Sequence, residues 1–474
     1  MPTVWAIQSV RWIALFCYLG DGVTIHRWGV NMKKIRTLSE GNFLKLFFAC
    51  VSAAFVVAAF FMPDRGTMLS GLWQILSQPG KISTNDFALG GFAATFLNMG
   101  LVGLCFVVLF AVLKAKANNV STLAFLLTVG FSSWGITVLN IWPTILGVVV
   151  YSLVRKEKLG NNINAMMFST GIAPLITDLL VRYPHGEAIG FNLPGLLLAL
   201  IVGFLIGFLL PAGLGHAPNV HKGFDLYSAA VPVCFFAFFL NAALFKTMGI
   251  DLPAAPGADT LKVASQLGVN IFCLVVFGAC VVIALMMGCT VKDYAGLLKS
   301  PGHVANISGT LGTSVFLMNV GVYGLFILAY YNVIGATFNA ITFGIIFCML
   351  CTCNSGSHPG NVWPIMLGYV VAATVSGWLS ALAGGNFTLA INAQAIAIGL
   401  CFANGLSPIT SKYGWFWGMV SAIMHYLLVT SVPNMHGGYC LYNGGFTAAV
   451  ICLILVPELE RFVKTKEEKK SLKA

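Results

Sequence analysis

Between residues 42 and 457 the sequence is a succession of apolar runs, separated by short pieces that hold Gly, Pro, Asn and most of the charge. A run that crosses ~30 Å of hydrocarbon must satisfy every backbone N–H and C=O internally, which leaves only helices and closed barrels. These runs are too continuous for barrel strands, which alternate over about ten residues. The chain therefore reads as an all-α polytopic membrane protein. Composition agrees: of 474 residues, 58% are hydrophobic and 9% charged, with a mean hydropathy of +0.87, where soluble domains carry about a quarter charged residues.

The runs delimit fourteen spans, near 42–62, 86–113, 120–135, 138–154, 163–181, 191–213 and 226–246, then 266–288, 309–331, 338–353, 362–380, 390–408, 414–432 and 441–457. They divide the chain into an N-terminal cytoplasmic or peripheral segment over 1–41, a first transmembrane repeat over 42–250, a second over 251–457, and a basic cytoplasmic tail over 458–474. "VRWIALFCYLGDGV" is too short to span and lacks a small-residue cleavage site, so residues 1–31 read as a peripheral or non-native extension.

The two sets of seven match in sequence. "LSQPG" (76–80) returns as "LKSPG" (298–302), "FLNMGLVGL" as "LMNVGVYGL", and "LNIWPTILGVVV" as "GNVWPIMLGYVV". Asn98 thus pairs with Asn319, Asn140 with Asn361, and Trp142-Pro143 with Trp363-Pro364. "FSTGIAPLIT" pairs with "FANGLSPIT", and "PNVHKGFDLY" with "PNMHGGYCLY". Five ordered blocks indicate an internal duplication. Seven spans per copy make the second copy enter from the opposite face. With both termini cytoplasmic, 21 of the 26 Lys and Arg fall inside and five outside: Arg65, Lys81, Arg182, Lys246 and Lys262. That skew fits the positive-inside rule and two inverted repeats in a cytoplasmic membrane.

Inverted repeats are the usual build of secondary carriers, whose sites lie where paired helices are short or broken. The third and tenth spans are the short ones, and each runs into Asn-x-Trp-Pro. Irregular backbone at membrane depth must be buried in protein or line a wet cavity. The expected substrate-binding groups are Asn354, Ser355, Ser357, His358 and Asn361 in the second copy and Ser132, Ser133 and Asn140, with Thr137, in the first. Together the junctions 131–143 and 352–364 would build one midplane site, with Asn98 and Asn319 nearby and a less polar wall on the first copy.

Plainer roles compete for the same residues. Asn140 and Asn361 suit helix N-caps; Trp142 and Trp363 suit an interfacial belt. Asn98 and Asn319, each followed by Gly-x-x-Gly, suit a helix-crossing hydrogen bond beside a close-packed glycine face. His358 could titrate near neutrality or simply cap a turn, His221 and His436 belong to repeated loops, and His425 suits a bond to a neighbouring helix. "GLWQILSQPGK" and "DYAGLLKSPGH" look like re-entrant or interfacial helices.

Absences shape the functional reading. Asp178 is the only acid placed within a span beyond its first residue, no buried Lys or Arg is available to clamp an anion, and no Walker or His-Glu-x-x-His motif occurs. Cys351 and Cys353 lack the second ligand pair a zinc site needs, and the odd total of 13 cysteines lies mostly within spans, so neither a metal nor a disulfide framework is expected. The net charge of +11 sits in short loops and the tail, which excludes nucleic acid as a partner.

On the repeated "N-x-W-P-x-x-L-G" and "P-N-x-H" blocks, the chain after residue 40 resembles a family of prokaryotic membrane proteins of unknown function that carry one domain in tandem duplicate. The resemblance implies a polytopic membrane protein and no substrate. Seven plus seven inverted spans with short third and tenth helices is also similar to the nucleobase-permease and anion-exchanger architecture, without that group's substrate-binding signatures. The expectation is a transporter for a small neutral or weakly polar solute, not an enzyme and without cofactor. Its partners are the lipid bilayer and the solute, with a coupling ion and a homo-oligomer left open. The alternatives are a channel, an intramembrane enzyme using His358 or His425 on a lipid, and a non-transporting scaffold.

Overall fold

The computed structural model describes residues 35, 38–183, 190–247, 263–300, 302–303 and 305–471; the expectation for residues 1–31 lies outside them. Among the described residues the chain is all-helical, and each of the fourteen apolar runs forms helix. Seven helices are long and apolar enough to cross a membrane: Glu40–Ala59, Phe92–Val112, Leu159–Val181, Leu193–His221, Ala264–Met286, Thr313–Val333 and Pro359–Leu382. Others are apolar but shorter, among them Asn119–Phe131, Trp142–Val154, Ala340–Asn354 and Trp415–Val429. Outer helices bare large apolar side chains, for example Ile201, Leu274 and Val275, all more than half exposed. Water would not tolerate such continuous apolar surface; lipid does.

Six helices frame the centre of the molecule: α1 (Phe92–Val112), α2 (Asn119–Phe131), α3 (Trp142–Val154), α4 (Thr313–Val333), α5 (Ala340–Leu350) and α6 (Pro359–Leu382). The copies pack alike. Helix Glu40–Ala59 lies on α1 as Val263–Met286 lies on α4, and Leu193–His216 lies on α3 as Trp415–Val429 lies on α6. Small residues allow the approach: a Cβ on Gly100 would meet Val56 and Ser52, and one on Gly321 would meet Val281 and Phe277. The first glycine of each Gly-x-x-Gly is thus packed against helix backbone, and the second against side chains.

The short helices α2 and α5 meet at the centre, Gly130 against Gly344, where a Cβ on Gly344 would fall 2.0 Å from Ser133 Oγ and 2.4 Å from Gly130 O. They run antiparallel. Ser133, just past the end of α2, donates to Ala340 O at the start of α5 (2.7 Å), and Asn354, just past the end of α5, donates to Thr122 Oγ1 near the start of α2 (3.1 Å). Trp134, Phe131, Phe402 and Tyr442 fill the surroundings.

Polar ends gather into two groups. One joins Lys222 to Glu460 (2.6 Å), His303 to Lys222 O, Asn119 to Ala305 O, and Ser308 to Glu40. The other joins Ile82 N–H to Gly438 O, Tyr439 to Asp178, Asp178 to Arg182, and Lys81 to the Tyr439 ring.

Candidate functional site: two stapled helix breaks

Both breaks are built the same way. In the first copy α2 ends at Phe131 and the chain turns at Gly135, whose φ of +92° is the left-handed region that suits glycine. Asn98, on α1, donates to Ser132 O (2.7 Å) and Ile136 O (2.8 Å), two carbonyls freed by the break. Asn140 accepts from Thr137 N–H (2.8 Å) and donates to Gly135 O (2.8 Å) and Thr177 Oγ1 (2.9 Å). In the second copy Asn319 donates to Cys353 O (2.8 Å) and Ser357 O (2.9 Å). Asn361 accepts from His358 N–H (3.0 Å) and donates to Gly356 O (2.9 Å), at φ +126°, and to Ser411 Oγ (3.1 Å). Irregular backbone is held here by side-chain amides in place of water.

This geometry revises three expectations. Asn361 is not an N-cap: His358 is the N-cap of α6, and Asn361, three residues on, accepts the cap residue's N–H as the returning arm of a capping box. Asn140 plays the same part beside α3, whose N-cap is Ile141. Second, the junctions do not converge on one midplane site. They lie at opposite ends of the antiparallel α2 and α5, ~20 Å apart for a 13-residue helix at 1.5 Å per residue. The cause is tertiary, because the Gly130–Gly344 crossing fixes where each short helix ends. Third, the first junction is not the less polar one, since Asp86 borders it.

All ten expected binding residues, Asn98, Ser132, Ser133, Asn140, Asn319, Asn354, Ser355, Ser357, His358 and Asn361, are buried. Ser132 donates to Thr128 O and Ser357 bonds Ser407. Asn354 joins the second junction to the neighbouring turn, accepting from Ser308 N–H (2.8 Å). Trp142 and Trp363 are nearly half exposed on the outer surface. His425 is buried between Tyr369 OH (2.7 Å) and Gly444 O (2.8 Å), bridging helices. Asp178 is committed to Arg182 (3.1 Å) and to Tyr439 OH (2.9 Å).

A polar cluster that sequence reasoning missed adjoins the second junction, at the end of α5. Asn404 Nδ2, with two N–H donors, lies within hydrogen-bond distance of Tyr323 OH (2.8 Å), Met349 O (2.7 Å) and Thr352 Oγ1 (2.9 Å), and its Oδ1 accepts from Tyr227 OH (2.7 Å). Its signal was available, because Asn404 sits in the repeated "FANGLSPIT" block where the first copy has Thr170. A fully used buried amide linking four segments specifies one arrangement of them.

His436, in the loop before the last span, accepts from Cys440 N–H through Nδ1 (3.1 Å) and stacks on Phe238. Burial lowers its pKa to about 4. A depressed histidine pKa favours the fold above the unfolded value near 6.5, and that contribution is lost as pH falls from 6.5 towards 4. At pH 5 the cost is about 2 kcal/mol. The melting temperature of wild type should therefore fall relative to that of His436→Gln between pH 7 and pH 5; parallel curves would contradict the assignment.

Comparison with curated proteins and with solved structures returns no match. One family model, described only as a protein of unknown function (DUF1576), matches twice, over residues 65–246 and 286–461, one match for each copy of the stapled break. The chain is a tandemly duplicated helical membrane protein of the DUF1576 family.

Proposed function

We propose that the chain is a secondary carrier for a small neutral or weakly polar solute, built as fourteen spans in two inverted repeats with both termini cytoplasmic. The observation that carries the reading is that α2 and α5, equivalent in the duplication, pack antiparallel and each ends in the same stapled break. Equivalent helices that run in opposite directions are what inversion requires, and inversion presents like faces to both sides. The two groups of polar ends agree with the charge skew: Lys222 and the tail fall together, and Lys81 and Arg182 fall together elsewhere.

In this reading the two junctions act as gates, one towards each side, and the cluster around Asn404, Tyr227 and Tyr323, beside the second, receives the solute. Its hydroxyl and amide groups carry no formal charge, which selects a hydrogen-bonding, uncharged cargo. A carrier is favoured over an open channel because the polar groups of both junctions are buried and largely spent on backbone.

The test is uptake into proteoliposomes of a mixed pool of small polar metabolites, read by mass spectrometry under imposed sodium or proton gradients. We expect selective uptake by wild type and its loss in folded Asn404→Leu, with reduced rates in Asn361→Ala and His358→Ala. A pool that never enters under any gradient would overturn the carrier reading.

A further inference from the structure

The copies differ in chemistry beside the break. Beside the first break a cavity of about 10 Å³, room for one water-sized species, is lined among others by Thr84, Asp86, Gly135, Thr137, Thr177 and Gln78. Asp86 is 3% exposed, and its Oδ2 makes no hydrogen bond. Among the described residues the ion pairs are Arg155–Glu157, Arg182–Asp178 and Lys222–Glu460, so no cation is paired with it. A buried carboxylate without a partner is expensive, and proteins resolve the cost with a proton or a bound cation.

At the equivalent positions of the second copy the acid and two of the three threonines are absent, while Ser411 stands for Thr177. Ile307 stands for Asp86, Ala305 for Thr84 and His358 for Thr137. The space closes too: a Cβ on Gly302 would lie 2.9 Å from Gly356 O, whereas one on its counterpart Gly80 would meet nothing nearer than Gly135 Cα at 3.9 Å. The shared fold therefore does not itself need the cavity or the acid. Both belong to one copy alone.

We propose that this cavity is a binding site for a dehydrated monovalent cation of sodium size, held by Asp86 Oδ2 with hydroxyl oxygens of Thr84, Thr137 and Thr177 and carbonyl oxygens of Gly135 and Gln78. Oxygen donors select hard cations, and one carboxylate neutralises one unit of charge, leaving a divalent ion half compensated. Thr137 and Thr177 are the residues that Asn140 ties to the break, so occupancy bears directly on the first junction. That occupancy drives solute movement rests on the carrier reading above; the site itself does not.

The experiment is thermal unfolding of purified full-length protein in detergent, titrated with sodium chloride against choline chloride at constant ionic strength. A saturable rise in melting temperature with sodium alone is expected, absent in Asp86→Asn, with the sodium midpoint moved upward in Thr177→Val. Equal wild-type curves in the two salts would overturn the proposal even if Asp86→Asn fails to fold, and a stabilisation that follows pH and ignores sodium would assign the acid to a proton instead. Because binding is read at equilibrium, a sodium effect without solute uptake would sink the carrier reading alone, and uptake without a sodium effect would sink this site alone.

Discussion

Asn319→Ala is expected to destabilise the folded protein by about 2–4 kcal/mol, and Asn98→Ala by a similar amount. Each asparagine supplies two donors to buried carbonyls that no helix satisfies, Cys353 O and Ser357 O in one copy, Ser132 O and Ile136 O in the other. Truncation removes both bonds and leaves both acceptors dry, at about 1–3 kcal/mol for each buried group left unsatisfied. The alanine also leaves a small void in a side chain's place, which adds to the loss. Asn319→Asp should do no better, since a carboxylate cannot donate and would bring an uncompensated charge. Melting temperatures of detergent-solubilised variants, followed by size-exclusion chromatography after heating, read the effect. A change of less than about 0.5 kcal/mol, the range of ordinary surface substitutions, would mean the amides are not what holds the breaks.

Gly344→Val is expected to abolish the folded, monodisperse protein. At the crossing of α2 and α5 an added Cβ alone would lie 2.0 Å from Ser133 Oγ and 2.4 Å from the backbone oxygen of Gly130, with Trp134 at 2.5 Å. Backbone cannot rotate away as a side chain can, so the helices must separate. That separation breaks the Ser133–Ala340 and Asn354–Thr122 bonds and opens the packing around Phe131 and Trp134. The cost exceeds the about 1–3 kcal/mol usual for overpacking because both central helices are displaced. Gly278→Val is the control: a Cβ there meets nothing within 4 Å. Wild-type-like expression and melting of Gly344→Val would contradict the crossing.

The duplication and the apolar helices were readable in the sequence because both are patterns along one dimension. Apolar runs report burial in lipid, and the constant offset from Asn98 to Asn319 and from Asn140 to Asn361 reports common geometry, down to bonds on equivalent carbonyls. The Asn-x-Gly-x-x-Gly motif likewise named Gly100 and Gly321, which face helix backbone. What stayed hidden depends on contacts between distant segments. Nothing local says that Gly130 meets Gly344, so the polar junctions looked able to converge when they stand at opposite ends of two crossed helices. Asp86 opens the span read over 86–113, directly after the polar "KISTN", and nothing local marks it as buried. It is buried because the turn before α1 packs on the start of α5, where Asn85 accepts from Ala340 N–H (3.1 Å). The role of Asn361 was misjudged for a related reason: Pro359 starts α6 earlier than the apolar run does, which moves Asn361 inside the first turn.

The central claim is that the two copies cross the membrane in opposite directions, and labelling of equivalent loops tests it most directly. Lys116→Cys, after α1, and Thr337→Cys, after α4, occupy matching positions of the two copies. Each would be introduced singly into a background whose native cysteines are replaced, and probed with a membrane-impermeant maleimide in intact cells and in inverted vesicles. We predict that Lys116→Cys is labelled only from the cytoplasmic side and Thr337→Cys only from the opposite side. Labelling of both from the same side would contradict the inverted arrangement and, with it, the carrier built upon it.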